Sequence, residues 1–519
     1  MNCARTPYAS LLLGLAATVP AQAADWPQFG YDGTHSGYNA AETAISAANV
    51  AQLAAAYPAA IDLAANVDSA PVYARAVDTP NGVRNLLFAF GSSSLYDGSS
   101  SIGTLMAIDA DSGAVIWSKT SSGSSQHASS SPVIDPARQF VYSFGLDGYV
   151  HKYAIGSGNE TTTPGPAGWP QQVTLKPNVE KVASGLTIAT VGGTSTLEVV
   201  TNGYDGDGGD YQGHLVAIDL ASGARTVFNF MCSDVTTLLA QGGCSNGRES
   251  GAWGRGGATF DSATGRIYIA SGNGNFDANG GGHNWGDSVL AFAADGSGAG
   301  SGLPADSYTP TNYQQLDDQD IDLGSISLAL LPVPAGSAVA HLGMQTGKDA
   351  QLRLIDLDDM SGAGAPAHVG GEVQLIDVPQ GGGGMREQPA VWVDPSDGSA
   401  WLYVANYAGL SGLQLGLAGG DQPALTERWS IGDAATSPAL ANGVLFNAGS
   451  CNAGTCVIAR DPRSGDVLWT SQPIGQVHWQ SPIVVDGAVY VIDNASKLWK
   501  FALPLGDTIF ADGFDPRSN

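Results

Sequence analysis

The sequence predicts an all-β fold, an eight-bladed β-propeller built from four-stranded blades. Three observations lead there. A hairpin with a fixed grammar recurs from end to end, a second pair of strands recurs ahead of it, and 70 glycines stand among only 13% charged residues, as many tight turns and stacked sheets require.

The hairpin is plainest at 103–117, GTLMAIDADSGAVIW. Leu105 and Ala107 alternate as a half-buried strand, Asp111-Ser112-Gly113 reverses the chain, and the returning strand carries Trp117. The plan returns as AIDLASGARTVF at 217–228, LIDLDDMSG at 354–362 and IARDPRSGDVLW at 458–469.

Ahead of each copy, a small residue, often followed by proline, opens an apolar strand and then one rich in β-branched and aromatic residues. Instances begin at Ser69, Ser130, Glu387, Thr436 and Gln480, with less regular ones near Ser184, Gly256 and Gly324. About eight units, roughly 45 to 70 residues apart and each with four potential strands, fit a closed ring. The last unit, 480–503, has strands for only three-quarters of a blade. The stretch 49–61 is alanine-rich enough for a helix, but 53–61, with Tyr57 in the aromatic position, reads as the outer strand that completes this blade. Closing the ring so leaves no sheet edge exposed.

At the start, Arg5, an apolar run at 11–17 and Ala21-Gln22-Ala23 have the form of a cleaved secretion signal, 1–23. The run is too short to span a bilayer, and no later segment is long and apolar enough. Cys3 precedes the run, so no lipoprotein box is present. The propeller is expected over 25–505 in the periplasm or outside the cell, followed by a tail, 506–519, that breaks the pattern. That tail is similar to a short terminal motif of many exported proteins of some Gram-negative bacteria. A net charge of -27 argues against nucleic acid or an anionic membrane as partner. Beyond Cys3, the cysteines fall into two local pairs, Cys232 with Cys244 and Cys451 with Cys456, read as disulfides of an oxidising compartment.

The opening DWPQFG, the ISAANVAQL segment at 45–53 and the AxDxxSGxxxW hairpins resemble the PQQ-dependent (pyrroloquinoline quinone) dehydrogenases and the wider PQQ-like, quinoprotein alcohol dehydrogenase-like propeller superfamily. The resemblance covers nearly all of the mature chain. It is specific for the fold and less so for activity, because related propellers bind no quinone.

The resemblance also nominates a site. In 250–296, Trp253 matches the tryptophan that stacks under the quinone and Asn273 the asparagine that ligates calcium. An indole face covers a flat cofactor well, and an amide oxygen is a hard ligand suited to calcium. In GKDAQLRLID, Lys348 matches the basic residue at the quinone oxygens; in 306–325, Asp320 best fits the catalytic aspartate, with Asp318 and Asp322 as competitors. Asp68 stands where the family has a cofactor-contacting glutamate. The acidic loop YDGDGGDYQG offers Asp205, Asp207 and Asp210 near the family's glutamate calcium ligand, with Asp207 and Asp210 as the metal candidates and a plain surface turn as the alternative.

Three family features are missing. The region of the paired cysteines reads QHASSSPVID at 126–135, the glutamate of the acidic loop is absent, and no CxxCH haem motif occurs. Hydrolase, zinc-protease and P-loop motifs are also lacking, and His127, His151, His283 and His478 read as turn or groove residues. The implied function is an exported dehydrogenase of an alcohol or sugar using PQQ and calcium. The alternative is a non-catalytic propeller that binds a protein partner in the cell envelope.

Overall fold

The computed structural model describes residues 25–93, 101–123, 127–245 and 247–504; the leader and the tail lie outside them. Eight antiparallel blades form the ring. Their inner strands are Val72–Thr79, Val133–Ile134, Thr187–Val191, Thr259–Asp261, Ala329–Leu331, Ala390–Val393, Ala439–Ala441 and Ile483–Val485, here blades 1 to 8. Each follows one of the eight small-residue motifs. Apolar side chains of adjacent blades meet face to face, as where Phe88 and Trp117 of blade 1 pack with Tyr153 of blade 2.

Turn chemistry explains the hairpin grammar. In blade 1 the Asp109 carboxylate accepts from the backbone N–H of Asp111 (2.9 Å) and Ser112 (3.0 Å), and Gly113 closes the turn at φ +76°. Asp219 does the same in blade 3, and Asp461 in blade 7 accepts from Arg463. The tryptophan on the outer strand then docks on the next blade. Trp117 donates to the Ile155 carbonyl (3.1 Å), Trp429 to that of Pro462 (3.0 Å) and Trp469 to that of Leu53 (3.0 Å). Each indole therefore joins neighbouring blades through one hydrogen bond and its apolar face.

The N-terminal segment does complete blade 8, in two pieces. Ala54–Ala55 and Ile61–Asp62 both pair antiparallel with Lys497–Ala502. Between them the chain bulges at Tyr57-Pro58, because proline has no N–H for the ladder; Tyr57 turns inward and donates to the Ala110 carbonyl (2.9 Å). The continuous strand expected over 53–61 is thus interrupted, and the alanine-rich stretch forms only the single 3-10 turn Val50–Gln52.

A strap with no sequence precedent in the repeats runs ahead of this closure. Carbonyls of Trp26, Pro27, Gly33, Ser36 and Gly37 accept the N–H groups of Tyr73, Ile134, Phe260, Val391 and Leu440, at 2.7–2.9 Å. The Gln28 side chain accepts from Ile188 N, and Asn39 donates to the Val484 carbonyl. One segment thereby touches the inner strands of blades 1, 2, 3, 4, 6, 7 and 8, beyond the points where those strands begin. The opposite end of the axis holds the site.

Candidate functional site

The residues just before the inner strands converge on one end of the axis and line a cavity of about 610 Å³. Asp68 precedes blade 1, Ser129 blade 2, Lys181 and Ala183 blade 3, Trp253 blade 4, Asp320 and Asp322 blade 5, Arg386 blade 6, and His478-Trp479 blade 8. Longer loops within blades 3, 4 and 5 bring Asp207, Asn273 and Lys348. Every inner strand starts from the same end of the ring, so residues far apart in sequence share one wall.

Of the residues nominated from sequence, Trp253, Lys348, Asp68, Asn273, Asp207 and Asp320 all line this cavity. Asp210 does not. Its carboxylate accepts from Gly242 N (2.6 Å) and the side chains of Gln241 and Gln212 (2.9 Å each), fastening the loop that the Cys232–Cys244 disulfide closes. Gly209, at φ +93°, turns the chain away after Asp207. Asp318 ends the helix Tyr313–Asp318 and accepts from Gln314.

On one wall the Lys348 ammonium lies 5.4 Å from the Trp253 ring centroid, 2.8 Å from Asp320 and 2.5 Å from Asp322. Burial works against this charge, but Asp322 and Asp320 outweigh it and hold the lysine above its ordinary range. Asp320 sits at the rim with its side chain 61% exposed; that of Asp322 is 5% exposed and accepts the Asn273 N–H (2.8 Å). Gly272 makes room for that contact, since a Cβ there would stand 2.2 Å from the Asp322 carboxylate.

Further carboxylates crowd this wall. Burial and then the charges of Asp322 and Asp320 raise Asp207, against the Tyr211 hydroxyl that donates to it. Burial and Asp207 raise Glu249, whose carboxylate stands 3.5 Å from the Asn273 amide. Asp207, Asn273 and Asp322 thus form an oxygen-rich side of the cavity, with Glu249 behind Asn273, and the charges of its carboxylates oppose one another. Among the described residues no three His, Cys, Asp or Glu side chains are already gathered around one metal position.

On the other wall the sequence nominated Asp68 but not Lys181, His127, His478 or Trp479 as site residues. The Lys181 amine meets His127 Nε2 (2.9 Å) and Asp205 (3.6 Å); burial lowers its pKa. Burial, then the lysine charge, pushes His127 down to about 4. Asp68 accepts from His478 Nδ1 (3.0 Å) and from Trp479 N (3.2 Å). Trp479 stands edge-on to Trp253, centroids 5.7 Å apart. Beneath them Arg255 reaches across the axis, paired with Glu387 (2.7 Å), donating to the Trp479 and His478 carbonyls, its guanidinium 4.6 Å over the Trp479 ring. The available signal was positional: His478-Trp479 precedes its blade motif as Asp68 does.

A family model for the beta-propeller domain of PQQ glucose/ethanol/alcohol dehydrogenases matches residues 26–298, more than half of the chain. The chain belongs to this PQQ propeller family. Among solved structures this PQQ propeller is similar to the quinohemoprotein alcohol dehydrogenase ADHIIG of Pseudomonas putida HK5, at 15% identity over 92% of this chain and 80% of that one, TM-score 0.60. It is also similar to Sqt1 of Saccharomyces cerevisiae, at 13% identity over 87% of this chain and 100% of that one, TM-score 0.50. At these identities the likeness is one of fold. No curated protein sequence matches the chain.

Proposed function

We propose that this PQQ propeller is an exported quinoprotein dehydrogenase that oxidises an alcohol or sugar with PQQ and calcium in the axial cavity. The observation that carries the reading is convergence: Trp253, Lys348, Asn273 and Asp207, nominated from separate stretches of sequence, line one cavity. The two disulfides, Cys232–Cys244 and Cys451–Cys456, support export, and no helix among the described residues is long and apolar enough to cross a membrane.

The donor chemistry suits both groups. PQQ is a planar tricarboxylate, and the cavity offers an indole face at Trp253 with three cations, Lys181, Lys348 and Arg386, around it. Calcium takes carboxylate and amide oxygens, and Asp207, Glu249, Asn273 and Asp322 supply them; burial and neighbouring carboxylates raise the pKa values of Asp207 and Glu249, a strain a divalent cation would relieve. Bound PQQ supplies a two-electron acceptor for the hydride of a carbinol carbon. Trp253 would offer its indole face to the cofactor, and Lys348, held beside it by Asp320 and Asp322, would supply a cation to stabilise negative charge. The exposed Asp320 serves in this arrangement as a partner of Lys348.

Binding without turnover, to a small molecule or a protein partner, is the second reading. The cysteine-free segment at 126–135 and the lack of a gathered metal group among the described residues favour it. Titration of the purified protein with PQQ and calcium, followed by quinone absorbance and tryptophan fluorescence, decides. Saturable binding that weakens at least tenfold in Trp253→Ala, followed by dye reduction with alcohols or sugars, supports the enzyme; no binding at micromolar PQQ rejects it.

A further inference from the structure

The axial cavity opens sideways into a groove of about 340 Å³ over blades 6 to 8. Tyr407, His478 and Asn494 line both, so the two are continuous. The groove is built from loops at the same end of the ring: 407 in blade 6, 434–436 and 448–455 in blade 7, 476–478 and 494 in blade 8.

Its lining is neutral. Among the described residues no lysine, arginine or aspartate lines it, and its glutamate, Glu387, is buried and already held by Arg255 and Ser437. Hydroxyls and amides take their place, those of Thr436, Ser450, Thr455, Gln476 and Asn494. Thr436 is buried, and its Oγ1 accepts from Ala448 N (3.2 Å), so the hydroxyl hydrogen remains to be donated. The Asn494 carbonyl oxygen accepts from the Gln480 amide (3.0 Å), so its Nδ2 hydrogens remain as well. Ser450 and Thr455 stand directly opposite each other on the hairpin that the Cys451–Cys456 disulfide staples.

Where groove and cavity join stands Tyr407, at 65% the most exposed large apolar side chain among the described residues. Its backbone is fixed by the buried Asn406, whose side chain accepts the N–H groups of Ala408 (2.9 Å) and Gly409 (3.0 Å) and donates to the carbonyls of Gly381 (3.0 Å) and Gly383 (3.2 Å). The loop thus presents an aromatic ring that the fold itself does not bury.

We infer that this groove binds a neutral saccharide chain, one end of which points to the axial cavity. A sugar ring has an apolar C–H face, which stacks on an aromatic ring, and a rim of hydroxyls that both donate and accept, as the amides and hydroxyls of the groove do. The net charge of -27 opposes a polyanion, and a cationic ligand meets only the carboxylate that Arg255 already holds. An extended peptide needs unpaired main chain, but the N–H groups of Thr436, Ser450 and Asn494 are bonded to the carbonyls of Ala448, Ala434 and Gln476.

Calorimetric titration of the purified protein with cellohexaose and with maltohexaose, with no PQQ added, tests this. At least one should saturate with a Kd below about 1 mM and bind at least about tenfold more tightly than glucose, because a groove engages several rings. Tyr407→Ala should weaken it at least about tenfold and Gln476→Ala about threefold, while Tyr407→Phe, which keeps the stacking face, should stay within about twofold. A tenfold rise in NaCl should move the Kd by less than about twofold. No saturation by either saccharide at about 10 mM, undiminished binding in both alanine variants, or tighter binding of a neutral proline-rich peptide overturns the assignment. Each of these outcomes is independent of the dehydrogenase reading, since PQQ is absent.

Discussion

Glu198 shows how much a single residue can oppose the fold that holds it. It lies on the second strand of blade 3, Thr194–Val200, fully buried, and neither carboxylate oxygen has a hydrogen-bond partner. Burial, and then the charge of Asp295, raise its pKa well above the ordinary value. The folded state therefore holds the proton more tightly than the unfolded chain, and stability falls as pH rises from the unfolded pKa toward the folded one. Glu198→Gln keeps the shape and removes the ionisation. Against wild type, it should gain stability between pH 5 and pH 8 by about 1–3 kcal/mol, the usual cost of an unsatisfied buried polar group, and gain little at pH 4; denaturant unfolding at the three pH values measures this. His151 has the opposite sign. Burial lowers its pKa, but Asp147 and Glu160 on its two ring nitrogens outweigh that and raise it. Its contribution is present below the unfolded pKa and fades as pH rises through the folded one, so His151→Gln should destabilise at pH 5.5 by about 1 kcal/mol more than at pH 9.

At the scale of the element, the hairpin turn and the tryptophan that docks on it act as one device. Gly465 of blade 7 has φ +77°, and a Cβ there would lie 2.7 Å from the Trp429 ring of blade 6. Gly420 also has positive φ, +111°, but has nothing within 4 Å. Gly420→Ala should cost only the backbone strain, about 1 kcal/mol, whereas Gly465→Ala must also displace the indole and should cost about 2–4 kcal/mol. Urea unfolding of the two variants separates the terms. The same contrast explains what was legible in the sequence. Asp109, Ser112 and Gly113 act within five residues, so the hairpins at 103–117, 217–228, 354–362 and 458–469 are legible in the sequence, and Trp253 and Lys348 carried motifs. The histidine wall did not, because His478 meets Asp68 across 410 residues, Lys181 meets His127 across 54 and Arg255 meets Glu387 across 132. Asp210 lies off the cavity that Asp205 and Asp207 line because the loop is irregular: Gly206, Asp207 and Gly209 have positive φ, +84°, +51° and +93°, so spacing along 204–213 does not decide which carboxylate faces inward. Side-chain spacing carries information only while the backbone between residues stays regular.

The whole ring is fastened twice at its N-terminal end, and the two fastenings do different work. The pairing of Ala54–Ala55 and Ile61–Asp62 with Lys497–Ala502 joins the chain ends in one blade and covers the free edge of Lys497–Ala502. The strap at 26–39 instead supplies acceptors to N–H groups that the inner strands cannot satisfy, those of Ile134, Phe260, Val391 and Leu440 among them. Inside a closed ring those donors have no neighbouring strand to pair with, and leaving a buried N–H unpaired costs about 1–3 kcal/mol. Deleting 26–39 should therefore leave the ring closed while freeing its axis. Hydrogen exchange should show the amides of Ile134, Phe260, Val391 and Leu440 opening at least about tenfold faster, with the Phe501 and Ala502 amides of the closing blade unchanged. If blade 8 opened as well, strap and closure would be a single cooperative unit; if the four amides stayed protected, water entering the axis would be an adequate substitute for the strap.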